Sequence, residues 1–287
     1  MTAAMPPAGT PGPVQVCARH PDRPTGLRCV RCDLPACSAC LREAPVGYQC
    51  VDCVAQGSRS GRRATTVAGA ELTGRVVMVP FLIAINVAIF ALTVIQAGSL
   101  GNNDSAALFR QWGLQPAAVA DGALWRLLTS GFLHFGPIHL AFNMIALWVI
   151  GRDLELVLGR GRFLVVYLVS LLGGSLLVFL VQNPASTTAG ASGAVFGLMG
   201  GLAVVLLRLR RSPGPALSII ALNVVITFVL PGISILGHLG GLLFGTAVTA
   251  GLVYAPRDRR DVVQAATVAA LLAVVVLGVL VRDAQLG

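Results

Sequence analysis

The sequence predicts an all-α polytopic membrane protein with a small metal-binding module at its amino end. Three observations carry this. The 287 residues are 55% hydrophobic and only 11% charged, too apolar for a soluble globular chain of this size. The apolar residues gather in runs of roughly twenty, the length that crosses a bilayer. All seven cysteines lie between Cys17 and Cys53, so the apolar portion has none.

The formal net charge of +9 would suit a nucleic-acid partner. Its distribution argues against one, because the arginines sit at the ends of apolar runs, as topology signals do. Residues 1–16 are rich in Pro, Gly and Ala and lack both a basic start and an apolar core. They read as a disordered amino terminus without a signal peptide, which leaves that end in the cytoplasm. Residues 17–54 read as the metal module and 55–74 as a polar linker. Residues 75–255 form a core of six spans, and 256–287 hold a seventh span with a short tail.

The seven spans are expected at 76–97, 137–151, 163–182, 191–208, 215–230, 235–254 and 262–281. With the amino end inside, the cytoplasmic loops hold Arg152, Arg160 and Arg162, then Arg208, Arg210 and Arg211, then Arg257, Arg259 and Arg260. The outer loops 183–190 and 231–234 carry no charge. This is positive-inside alternation, and it places the carboxyl end outside. The long outer loop 98–136 mixes aromatic, aliphatic and polar residues, which suits a segment lying in the membrane interface.

The polar residues of the spans converge on one depth. His139 and Asn143 lie four apart on one face of the second span. Ser192 opens the fourth span and His238 lies in the first turn of the sixth. At about 1.5 Å per residue all four fall in roughly the outer third of the bilayer. Gly193, Gly197 and Gly201, and Gly237, Gly241 and Gly245, recur at four-residue spacing, which lets two helices pack closely. A lone membrane serine is more often a packing residue. A membrane histidine needs a partner or water, and His238 shifts that balance.

No Asp or Glu lies inside the expected spans, and H-E-x-x-H is absent, so aspartyl and zinc membrane proteases are disfavoured. A Ser–His dyad remains. His238 would act as general base on Ser192, and then as acid to the leaving amine. The Ser192 backbone N–H, with His139 and Asn143, would stabilise the oxyanion. The alternative for His139 and Asn143 is a structural interhelical hydrogen bond. No cofactor is expected in catalysis.

These residues resemble the rhomboid intramembrane serine proteases. The likeness rests on Trp125-Arg126, His134-Phe135, His139 and Asn143, Gly190-Ala191-Ser192-Gly193 and Gly237-His238-Leu239-Gly240-Gly241, in that order over about residues 76–255. It implies a rhomboid-like six-helix core with a seventh carboxyl-terminal span. It implies Ser192 as nucleophile and His238 as base, with His139 and Asn143 assisting. It also implies Phe196 packed on the catalytic histidine, His134 supporting the site, and structural roles for Trp125-Arg126 and Glu155. Phe196 read by itself is equally a core or lipid-facing ring.

The module offers Cys17-x-x-His20, Cys29-x-x-Cys32, Cys37-x-x-Cys40 and Cys50-x-x-Cys53. Eight ligands at these gaps suit two tetrahedral, structural zinc ions. Alternate pairing, as in the B-box-like fingers the module is similar to, is preferred over sequential pairing. Disulfides would leave one cysteine over, in a reducing compartment.

The leading function is an intramembrane serine endopeptidase, cutting single-span membrane proteins near the outer end of their helices within the lipid bilayer. The alternative is a non-catalytic scaffold that binds transmembrane helices and recruits a protein partner through the zinc module. A transporter is disfavoured by the absence of a charged pathway or inverted repeat.

Overall fold

The structure is a computed structural model that describes residues 15–60, 65–72, 74–229 and 234–286. The disordered terminus expected at 1–16 lies almost wholly outside the described residues. The chain divides into two units, Met1–Arg63 and Ala64–Gly287.

The first unit is built from two short antiparallel ribbons and one helix. Strand β1 (Val16–Cys17) pairs with β2 (His20–Pro24), β3 (Leu41–Glu43) pairs with β4 (Tyr48–Cys50), and helix α1 (Val51–Ser60) follows. Its core is Cys17, Cys29, Cys37, Cys40, Cys50 and Cys53 with Ala36 and Leu41. So few apolar side chains cannot offset the chain entropy of some forty residues by themselves.

The second unit is helical. The long helices are α2 (Met78–Ala97), then, after short helices α3 (Ala107–Trp112), α4 (Pro116–Ala120) and α5 (Arg126–Thr129), α6 (Gly136–Leu158), α7 (Arg160–Val181), α8 (Ser192–Arg208), α9 (Gly214–Val229), α10 (Ile235–Val253) and α11 (Arg260–Leu286). Among the described residues, α2, α7, α10 and α11 are long and apolar enough to span a bilayer alone. Arg126–Phe132 with α6, bent by 94°, makes a fifth candidate span. Helix α8 has 17 residues, about 26 Å of rise. The polytopic all-α architecture follows, and large apolar side chains such as Ile95, Ile138, Phe142, Leu243 and Leu280 are exposed on its outer faces, as contact with lipid requires.

Helix α10 lies between α7 and α8, and the two glycine series explain how. A methyl on Gly241 would sit on the Gly193 carbonyl, one on Gly245 would meet the Gly197 backbone, and one on Gly240 would meet Gly173. Backbones this close exclude any larger residue.

Three features differ from the sequence expectations. The second span does not stop at 151 but continues to Leu158, so Glu155 lies inside it and is 1% exposed. Its Oε1 accepts the N–H groups of Val77 (2.7 Å) and Met78 (2.9 Å), and its Oε2 that of Val79 (2.9 Å). The carboxylate thereby caps the start of α2, satisfying orphan donors and opposing the helix dipole. A buried carboxylate is tolerated there because every oxygen is hydrogen-bonded.

The stretch 55–74 is also not a plain linker. Residues up to Ser60 continue α1, whereas Val67 and Ala68 pack into the membrane core and Gln264 donates to the Ala68 carbonyl at 3.1 Å. Residues 61–64 and 73 lie outside the described residues. So do 231–233 of the expected outer loop 231–234.

The loop 98–136 folds tightly. Arg126 donates to the Gly113 carbonyl (2.7 Å), Trp125 to the Gln111 carbonyl and Thr129 to the Trp112 carbonyl. Leu114 and Thr188 exchange two backbone hydrogen bonds of 2.9 and 2.8 Å, tying this loop to the segment that leads into α8.

Candidate active site and metal clusters

The starts of α6, α8 and α10 meet at one end of the membrane unit, away from the helix ends that hold Arg160, Arg208 and Arg260. Ser234 sets the start of α10, its Oγ accepting from Gly237 N at 3.1 Å. That places His238 in the first turn, where it is 6% exposed. Ser192 is the first residue of α8 and is half-buried. Phe196 lies one turn further on, and its ring stacks on His238 with centroids 4.0 Å apart at 16°. The imidazole is thus held over the first turn of α8. Gly193 meets the Gly237 carbonyl, so the neighbours of the serine and the histidine are in direct backbone contact.

Gly190 completes the approach. Its φ of +137° favours glycine, and its N–H donates to the Ser130 carbonyl at 3.0 Å. A Cβ there would lie 2.9 Å from His139 Nε2 and 3.7 Å from Ser192 Oγ. The serine hydroxyl and the His139 ring therefore flank one glycine. His139 Nδ1 accepts the Phe135 N–H at 3.3 Å. The proton of the neutral ring then sits on Nε2, which makes that edge a donor facing Gly190.

Asn143 is buried, and its amide nitrogen donates to the His139 carbonyl at 2.9 Å. One of its two hydrogens is thus spent within α6, and one remains. His134 is 1% exposed, edge-on to His139 with centroids 5.2 Å apart. Neither of its ring nitrogens has a hydrogen-bond partner.

His238 Nε2 is likewise buried without a hydrogen-bond partner. The Ser192 hydroxyl has not closed onto it. Catalytic hydrogen bonds commonly tighten only when substrate is bound.

Two supporting residues escaped the sequence analysis. Asn103 is buried, donates to Thr93 Oγ1 (3.0 Å) and to the His134 carbonyl (2.8 Å), and accepts from Gly136 N (2.9 Å). It fastens the turn that starts α6 to the end of α2. Thr227 Oγ1 touches the His238 ring at Nδ1. Both look like ordinary loop or span polar residues in the sequence. Only the i, i+4 pair Asn223 and Thr227 hinted at a polar stripe on α9.

In the first unit the ligand pairs assemble alternately. Cys17, His20, Cys37 and Cys40 form one cluster, and Cys29, Cys32, Cys50 and Cys53 the other. His20 Nδ1 lies 3.8, 3.5 and 3.2 Å from the sulfurs of Cys17, Cys37 and Cys40, and the Cys32 and Cys50 sulfurs are 3.8 Å apart. A tetrahedral zinc with ordinary bond lengths requires edges of about 3.6 Å for N···S and about 3.8 Å for S···S. All seven thiols are free, and 3.8 Å is far outside a disulfide bond. The backbone N–H of Cys37 beside Cys17 pulls that thiol down to about 6. At Cys29 burial opposes ionisation, but the N–H groups of Cys50, Cys32 and Arg31 outweigh it and also hold the thiol at about 6. Burial pushes the Cys40 thiol up to about 11, and the Cys32 thiol beside Cys53 pushes that one up to about 12, so each cluster offers a ready thiolate beside a thiol that a bound ion would have to deprotonate.

The fold and site together define a polytopic membrane protein with polar residues gathered at the mouth of a glycine-packed helix trio. Comparison with known proteins places it. Residues 121–255 match the rhomboid domain. The chain is 36% identical over 192 residues to rhomboid protease GluP of Bacillus subtilis, covering 65% of this chain and 37% of that one. It is 38% identical over 137 residues to RHOMBOID-like protein 4 of Arabidopsis thaliana (45% and 34%). It is 32% identical over 143 residues to rhomboid-type serine protease 2 of Emericella nidulans (48% and 28%). The chain belongs to the rhomboid family, and it spans about a third of the length of these curated relatives.

Proposed function

We propose that this chain is an intramembrane serine endopeptidase that uses Ser192 and His238. The observation that carries this is that Ser192 and His139 flank Gly190, the Gly237 carbonyl next to His238 meets Gly193, and the His238 ring stacks on Phe196 one turn beyond Ser192, with His238 Nε2 left without a hydrogen-bond partner. The relatives named as rhomboid proteases support it.

The Ser192 hydroxyl attacks the scissile carbonyl carbon as its proton passes to His238 Nε2. The resulting oxyanion accepts from His139 Nε2–H, from the remaining Asn143 amide hydrogen and from the Ser192 N–H at the start of α8. Collapse breaks the C–N bond, and the imidazolium proton goes to the leaving amine. Water, activated by the same imidazole, then releases the acyl group from Ser192. Phe196 holds the imidazole in place, and His134 buttresses His139.

The substrate is a single-span membrane protein cut near the outer face, with the amino end of this chain cytoplasmic and its carboxyl end outside. The arginine-rich helix ends support that orientation. A helix must unwind locally to offer its peptide bond, so Gly or Pro near the cut favours cleavage.

The two clusters hold one structural zinc each. Every position of each tetrahedron is filled by protein, so the ions would stabilise the module and leave no site for chemistry. The module would dock a cytoplasmic protein partner.

The test is cleavage of a reporter membrane protein by wild type and by Ser192→Ala at equal expression, with fluorophosphonate labelling of Ser192 beside it. Equal cleavage by both, or a wild type that neither cleaves nor labels, favours the non-catalytic scaffold instead.

A further inference from the structure

We propose that Thr227 of α9 is a positioning residue that fixes the tautomer of His238, so that the dyad is in fact a Thr227–His238–Ser192 chain. This rests on the assignment of His238 as general base and adds the group that makes it one.

Thr227 Oγ1 lies 2.8 Å from His238 Nδ1. The same oxygen donates to the Asn223 carbonyl one turn earlier, also at 2.8 Å. A hydroxyl has a single hydrogen. With that hydrogen committed to Asn223, the oxygen can only accept from the histidine, so Nδ1 carries the proton. The neutral ring then has its lone pair on Nε2. That is the nitrogen left without a partner, and it is the one a general base must present to the serine.

The geometry leaves little freedom to choose otherwise. Thr227 and His238 are each 6% exposed, so water does not readily replace the bond. The Phe196 stack fixes the plane of the imidazole but not which nitrogen is protonated. The ring has no carboxylate neighbour among the described contacts, and His139 is the other titratable group near it, with its own proton placed on Nε2 by the Phe135 N–H. A threonine therefore does here, without charge, what a carboxylate does in a triad. Because Thr227 belongs to α9 and His238 to α10, the base is set correctly only while these two helices are in register.

The experiment uses the full chain in lipid nanodiscs and compares wild type, Thr227→Val, Thr227→Ser and His238→Ala on one reporter substrate. Thr227→Val keeps the shape and removes the hydroxyl. It is expected to lower kcat by roughly tenfold or more with KM held, and Thr227→Ser to restore most of the loss. Nitrogen NMR of histidine-labelled protein should show the His238 proton on Nδ1 in wild type and shared between nitrogens in Thr227→Val. Wild-type turnover in Thr227→Val, equal loss in the valine and serine variants, or a wild-type ring protonated on Nε2 would each overturn the assignment. Failure of the underlying dyad looks different, since His238→Ala would then cleave as well as wild type.

Discussion

The two units of this chain solve the same problem by different physics. Each brings polar groups from distant positions to one point. In the first unit Cys17 and Cys40, or Cys29 and Cys53, are gathered around a place for an ion, and the core is eight small or medium residues, six of them these cluster cysteines. In the second, Ser192 and His238 are gathered by backbone contact between glycines on α8 and α10, within a core of more than twenty buried side chains. The metal cluster is specified by ligand chemistry and would loosen without its ion. The serine site is specified by shape and holds without any ligand. Order in the first is conditional and in the second built in.

Removing metal should give the largest effect and strike only the first unit. A structural zinc contributes on the order of 10 kcal/mol to such modules. A chelator is expected to release two equivalents of zinc and unfold 15–60, seen by zinc-dye titration and hydrogen exchange, while exchange in α7, α8 and α10 stays slow. Slow exchange throughout would break the contrast.

The reverse experiment is Ser192→Ala. Loss of a nucleophile costs about a thousandfold or more in turnover, with zinc content and thermal unfolding unchanged.

Substituting Gly241→Leu should separate shape from chemistry. The added side chain meets the Gly193 backbone, which cannot yield as a side chain would. Destabilisation of about 3 kcal/mol or more is expected in detergent unfolding, together with loss of cleavage although no polar group has changed. A variant of wild-type stability would show that α8 and α10 are not packed as closely as described.

The smallest effect is expected at Glu155→Gln. The amide can accept at only one atom, so part of the triple cap on α2 is lost. A cost of about 1–3 kcal/mol follows, read as a lower unfolding midpoint with turnover nearly intact at low temperature.

Much of this was legible before any coordinates. Ligand spacing announced the two Cys/His clusters that could hold a metal, since two-residue gaps turn both side chains of a pair toward one point. Apolar run lengths announced the long helices. Positions of Ser192, His139 and His238 relative to the helix starts announced their common depth, because rise per residue converts sequence into height. What stayed hidden was lateral. By its position Glu155 looked like a residue beyond the end of a helix, and the family resemblance implied a structural role for it without naming its partners. Those partners are backbone N–H groups at Val77 to Val79, which carry no sequence signature. Asn103 and Thr227 were hidden for the same reason, their partners lying on other helices.

Composition and spacing by themselves determined that the chain crosses a bilayer, which helices carry the polar residues, and at what height. Tertiary structure alone decided which of those residues face one another, and on which nitrogen a histidine keeps its proton. Height along a helix is a local property of the backbone, whereas rotation and contact between helices are settled by packing summed over the whole interface.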